Sequence, residues 1–266
     1  MQNLVGGHIL VNKDMPASTS RINMSLYDNH SREMTITPQC PWFEAQQSYG
    51  APNVNWCEET ICSVINEPAN TWSNLGFIIV ALLLITKYKE VLVKHFGIVV
   101  LVMGLFSGIY HASNNYLTQH FDFFGMALMT SFLLAFNAKR VSRYAHFSFY
   151  TLFWFFSFMN MIILVILGII NIPIQTLLLI NALPIIVLDL YNGFKESSLK
   201  KYGFLAIAGL ILILAQVSAQ IDLKRIYCQP ENIFLHGHVI WHILCAFGMH
   251  FIAKHIQVIS RDKQLA

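Results

Sequence analysis

The sequence predicts an all-α integral membrane protein with seven transmembrane helices. Three observations lead there. Of 266 residues, 55% are hydrophobic and only 12% are charged, where an ordinary soluble domain carries about 25% charge. Seven apolar segments have approximate cores at 72–86, 96–113, 121–138, 147–169, 173–192, 202–221 and 234–253; a helix needs about 20 such residues to cross a bilayer. The basic residues cluster after every other segment, on one side of the membrane. Mean hydropathy is +0.52.

The first segment is short, but Trp72 suits an interfacial position at its start. The second and third bracket a polar loop. The fourth and fifth are separated only by "INIP". After segments one, three, five and seven come Lys87, Lys89 and Lys94, then Lys139, Arg140 and Arg143, then Lys195, Lys200 and Lys201, and last Lys254, Arg261 and Lys263. These are 12 of the 17 basic residues. By the positive-inside rule the N-terminus lies outside or in a lumen and the C-terminus in the cytosol, as an odd number of spans requires.

The N-terminus lacks the basic region and long apolar core of a cleavable signal. Residues 1–40 read as a flexible polar tail and 41–71 as an N-terminal cap containing Trp and Cys. Residues 72–256 form the membrane domain and 257–266 a cytosolic tail. The net charge of +3 is too small to indicate nucleic-acid binding. A transporter is disfavoured because neither an internal repeat nor a pair of interrupted helices is present.

The informative residues are polar ones inside apolar runs. With this topology His111 lies near the outer end of helix two and Asp122 near the outer start of helix three. His238 and His242 lie in the first turns of helix seven. The last two are spaced i, i+4 and share a helix face; Ser107 and His111 repeat that spacing. "HVIWH" has no Glu between its histidines, so it is not the zinc-protease helix, and a base must come from elsewhere. Each residue alone has an ordinary reading: an interhelical hydrogen-bond partner for a histidine, a backbone bond for the serine, an N-cap for Asp122. Together, at one depth on three helices, they point to a metal site with three histidine ligands, the plan of a catalytic zinc centre. His120 and His236 read as interfacial, His250 as a packing or relay residue, and Asp189 as a snorkelling surface carboxylate.

Three blocks carry a resemblance to a known family: "NWCEETICSVINEPANTWSN" at 55–74, "SGIYHASNNYLTQHFD" at 107–122 and "HVIWHIL" at 238–244. Over roughly residues 50–256 the chain resembles the alkaline ceramidases. These belong to a wider group of seven-helix membrane hydrolases that includes progestin and adiponectin receptor-type proteins. The resemblance implies a zinc-dependent amidase that cleaves the N-acyl bond of ceramide-type lipids, with the bilayer and a membrane lipid as its partners. His111, His238 and His242 would hold zinc, Asp122 would orient or deprotonate the attacking water, and Ser107 would stabilise the oxyanion. The alternatives are a hydrolase of another lipid ester or amide, disfavoured by the first block, and a non-catalytic lipid receptor, which would have no use for Asp122 and Ser107. Such a protein would be multi-pass, in an endomembrane or plasma membrane of a eukaryote or the inner membrane of a bacterium.

The resemblance also implies a calcium site in the first block, at Asn55, Trp56, Glu58, Thr60 and Glu67. Asn55 stands where the family pattern has Asp, and Thr60 where it has Asn. Calcium takes about six to eight oxygens, several of them carboxylate, so weak calcium binding or none is expected. The bland reading of Glu58, Glu59 and Glu67 is a solvated acidic rim. Cys40, Cys57, Cys62 and Cys228 all fall outside, and four cysteines allow three pairings; the resemblance favours Cys57 with Cys228. Asn23 and Asn29 begin N-x-S sequons in the outside tail.

Overall fold

The computed structural model describes residues 37–141, 144–170, 172–173, 175–195 and 199–263. The sequons at Asn23 and Asn29, and the predicted tail up to residue 36, lie outside them. Among the described residues every regular element is helical. α1 (Phe43–Tyr49) belongs to the cap. α2 (Pro68–Ser73) and α3 (Leu75–Lys87) together form the first span. Then come α4 (Val91–Ser113), α5 (Tyr116–Arg140), α6 (Phe149–Ile169), α7 (Thr176–Lys195), α8 (Gly203–Leu223) and α9 (Gly237–Lys263). Among the described residues, seven spans are thus long and apolar enough to cross a membrane.

Caps explain where the helix ends depart from the hydropathy reading. α2 begins at Pro68, before the predicted segment, because a proline at the first helical position gives up an N–H that has no intrahelical partner anyway. α5 begins at Tyr116 rather than near 121. Its N-cap is Asn115, whose side chain accepts the Thr118 N–H at 3.1 Å. Asp122 therefore stands in the second turn and is not the cap. α9 continues through Lys263, so residues 257–263, expected as tail, are helical. There Arg261 Nε and Gln257 Nε2 donate to the Glu90 carboxylate at 2.6 and 2.9 Å.

α5 is the most enclosed span and α8 the least. α4, α6 and α7 pack around α5, while α9 packs against α3, α4 and α8. α4 and α5 approach so closely that a Cβ on Gly125 would meet the Met103 Cα at 2.9 Å, leaving room only for glycine. Polar side chains tie spans where lipid offers no hydrogen-bond partners: Asn160 Nδ2 donates to Ser131 Oγ at 2.8 Å, and Asn181 Nδ2 to Asn160 Oδ1 at 2.9 Å. Large exposed apolar residues such as Trp154 and Phe158 on α6, and Leu210 and Ile213 on α8, are the ordinary surface of a helix facing lipid.

Asp189 is not a surface carboxylate. It is buried, and Arg140 Nη1 donates to its Oδ1 at 3.1 Å while Asn137 Nδ2 donates to Oδ2 at 2.8 Å. Arg140 Nη2 also donates to Tyr202 Oη at 2.6 Å, and that hydroxyl donates to the Asp189 carbonyl at 3.0 Å. A charge this deep persists only when paired, and α5 supplies the partner.

The cap closes over the other end of the bundle. Disulfides join Cys40 to Cys62 and Cys57 to Cys228. Asn66 N–H donates to the Ala112 carbonyl at 2.9 Å and Glu67 N–H to the His111 carbonyl at 3.1 Å. This short backbone pairing sets the register of Glu67 against the end of α4.

Candidate metal centre and hydrolytic site

Under the cap, α4 and α9 bring His111, His238 and His242 together. Each offers a ring nitrogen, and these atoms all lie within 4.8 Å of one another. The three residues are almost entirely buried. His111 Nε2 and His238 Nε2 are 3.2 Å apart. Nitrogens bound about 2.0–2.1 Å from one tetrahedral centre stand about 3.3 Å apart, so the donor set fits a zinc-sized ion.

The surrounding groups set the direction of two of the rings. Glu67 Oε2 lies 2.7 Å from His111 Nδ1. Ser73 Oγ lies 2.6 Å from His242 Nδ1 and donates its own proton to the Asn70 carbonyl at 2.9 Å. A serine that has given its proton away can only accept from Nδ1–H. That leaves the lone pair of His242 on Nε2, facing the other histidines, the arrangement by which neighbours orient a metal-binding imidazole.

Asp122 and Ser107 come to the same place. The Ser107 hydroxyl lies 3.4 Å from His242 Nε2 and beside the Asp122 carboxylate. Both residues are buried. α4 ends at Asn114 in a left-handed conformation (φ 44°), and α5 follows after Asn115 alone. That turn is what returns Asp122 to the level of Ser107. A carboxylate, a hydroxyl and three imidazoles buried together can bind a divalent ion, move a proton and stabilise an oxyanion.

His120 and His236 stay out of the group. His120 Nδ1 bonds the Tyr116 carbonyl at 2.9 Å, and His236 Nε2 bonds the carbonyl of Asn232. His250 packs edge-on against Tyr88.

The first block is arranged differently from a cation cage. Glu58 and Glu67 are buried, not a solvated rim; Glu59 alone is exposed. The Glu58 carboxylate accepts the Ala69 and Asn70 N–H groups at 2.6 and 2.8 Å, at the start of α2. Burial raises its pKa to about 7 and that of Glu67 to about 8. A cation among the histidines would oppose the rise at Glu67. Thr60 Oγ1 accepts from Asn114 Nδ2 at 2.8 Å, the Trp56 carbonyl accepts from the Arg225 guanidinium at 3.3 Å, and Asn55 is exposed. The Thr60 and Trp56 oxygens are thus held by protein donors, one of them a cation. As arranged these residues leave fewer oxygens free for calcium than the motif alone would offer.

Two residues at the site escaped the sequence reading. Ser73 lies within the first block, but nothing local marks it as a histidine partner. Asp222, a carboxylate at the end of the sixth apolar run, is fully buried and takes two backbone N–H groups, those of Cys57 and His238. A lone acid at the end of a span was the available signal.

A family model described as Ceramidase matches residues 48–265. That range includes the whole histidine group, Asp122, Ser107 and the first block. A comparison with curated proteins finds no match.

Proposed function

The chain belongs to the ceramidase family, hydrolases of an amide bond, and from that premise we propose that it is a zinc-dependent intramembrane amidase. It cleaves ceramide-type lipids to a sphingoid base and a free fatty acid. The observation that carries this reading is the convergence of three buried histidines, two with a fixed partner on Nδ1, on Asp122 and Ser107.

His111, His238 and His242 would hold the ion through ring nitrogens. When bound, zinc supplies a Lewis acid that polarises the acyl carbonyl and brings the pKa of water to about 7. Asp122 accepts a proton from the attacking water as it adds to the acyl carbon. It returns that proton to the amine as the C–N bond breaks. Ser107 Oγ–H donates to the oxygen that becomes negative in the transition state. The cap and spans exclude bulk water, which strengthens each of these interactions.

A cleft of about 310 Å³ opens beside the site between α2 and the start of α9, lined by Ala69, Trp72, Ser73, Val239 and Ile243 among others. It is apolar apart from Ser73, which touches His242. One alkyl chain of the lipid lies here, with its amide directed past Ser73. The arrangement of the first block supports a cap held by hydrogen bonds and disulfides, with no calcium step in the reaction.

The decisive experiment is metal analysis of purified protein together with ceramide turnover, with and without a calcium-selective chelator. One zinc per chain, fatty-acid release that calcium removal leaves intact, and loss of release in His238→Ala are expected. Full turnover by folded His238→Ala protein would overturn the proposal.

A further inference from the structure

Two of the three histidines have a hydrogen-bond partner on Nδ1. His238 Nδ1 has none and is buried. Its ring is instead held between two indoles: Trp56 stacks on it at 3.4 Å and 17°, and Trp241 lies at 5.0 Å and 9° on centroid distance and tilt. Trp241 is on the same helix. Trp56 comes from the cap, so something must fix the cap against the start of α9.

Asp222 does so. Its Oδ1 accepts the Cys57 N–H at 2.7 Å, next to Trp56, and its Oδ2 accepts the His238 N–H at 2.9 Å. The His238 amide is in the first turn of α9, where N–H groups have no intrahelical acceptor and a carboxylate is favoured by the helix dipole. The contact is built for close approach. A Cβ on Gly237 would sit 2.6 Å from the Ser218 carbonyl oxygen and 2.9 Å from Asp222 Cβ, so a larger residue would push α9 away from α8. Ser218 Oγ also donates to the Gly237 carbonyl at 2.7 Å. Cys57, Asp222 and His236 form a second cluster of potential ligands, but the Cys57 sulfur is in a disulfide and both Asp222 oxygens are taken by amides. The cluster serves as a clamp and not as a second metal site.

We propose that Asp222 is a positioning residue of the hydrolytic centre: one carboxylate fixes both His238 and the Trp56 ring stacked on it, in place of the missing Nδ1 partner. This rests on the zinc-amidase reading and assigns to the cap a direct part in metal geometry.

The test uses full-length protein loaded with cobalt, which reports on ligand geometry through visible absorption where zinc is silent. Asp222→Asn keeps the size of the side chain but can accept only one of the two amides. Trp56→Leu removes the stack, and Trp56→Phe keeps a ring. Asp222→Asn and Trp56→Leu are expected to weaken cobalt and zinc affinity by about 10–100-fold, the usual effect of removing a neighbour that orients a ligand. They should shift the cobalt absorption bands and lower kcat with KM unchanged; Trp56→Phe should recover most of each. Should Asp222→Asn fail to fold, the two Trp56 variants decide. Wild-type cobalt binding with unaltered affinity and spectra in Asp222→Asn and Trp56→Leu overturns this inference alone. A wild-type protein that binds no cobalt at the histidines overturns the metal-centre reading, and this inference with it.

Discussion

Glu67 Oε2 stands 2.7 Å from His111 Nδ1, and the Glu67 backbone N–H is bonded to the His111 carbonyl at 3.1 Å. The cap therefore grips this histidine by both ring and backbone. Glu67→Ala removes the ring contact and is expected to lower zinc affinity about 10–100-fold. Glu67→Gln, whose amide oxygen can still accept from Nδ1–H, should lose less. Zinc retained after dialysis against a graded chelator measures both. Equal retention in Glu67→Ala and wild type would show that the contact does not orient His111.

In the proposed site Asp122 and Ser107 lie beside the histidines but outside the ligand set. Asp122→Asn should reduce kcat by about 10²–10⁴-fold, the usual contribution of a positioned acid–base group. Ser107→Ala should cost about 10²–10³-fold, as for loss of one oxyanion donor. Zinc content should match wild type in both. A variant that loses zinc in proportion to activity would place that residue among the ligands.

The cleft between α2 and α9 makes a chain-length prediction. Ala69→Trp fills it from the α2 side. Turnover of long-chain ceramide should fall at least tenfold through KM, with a short-chain analogue hydrolysed nearly as before. Equal loss on both substrates would mean that the chain lies elsewhere.

Burial holds the Glu58 carboxyl at about 7, against an ordinary 4.5. The folded protein thus binds this proton more tightly than the unfolded chain does. That contribution to stability is fully present below about pH 4.5 and is lost as pH rises through about 7. Relative to wild type, Glu58→Gln should gain thermal stability from pH 4.5 to pH 7. Melting curves of the two proteins across that range provide the check, and a constant difference between them would contradict the assignment.

At the far end of the bundle, Asp189→Ala removes the buried carboxylate that pairs with the Arg140 guanidinium. Removing one partner of a buried ion pair costs about 3–5 kcal/mol. A large drop in melting temperature is expected, with zinc content of the folded fraction unchanged. Coupled loss of metal would mean that this cluster communicates with the centre.

Much of the site was visible in the sequence because its chemistry stands out against lipid-compatible surroundings. His238 and His242 one turn apart, Ser107 and His111 likewise, and Asp122 shortly after are conspicuous in apolar runs. Whether Asp122 capped its helix could not be read from hydropathy, which places the start of α5 by apolar content. Asn115 places it by a hydrogen bond from the Thr118 N–H, seven residues before Asp122. Ser73 was hidden because its partner His242 is 169 residues away. Asp222 was hidden because its oxygens bond backbone amides, which leave no trace in side-chain pattern. Asp189 was misread because its depth depends on α5 bringing Arg140 to it. The five first-block residues show the converse: the motif is largely present, while the hydrogen bonds around it show what its oxygens do here.

The histidines are divided between the second span and the last, and Cys57 must find Cys228 across 171 residues. During synthesis, six spans can be inserted while the protein still holds only one of its three candidate metal ligands. A nascent or truncated chain therefore has no hydrolytic centre to expose to the surrounding lipid. On the proposed reading, the centre is complete only once the final helix has entered.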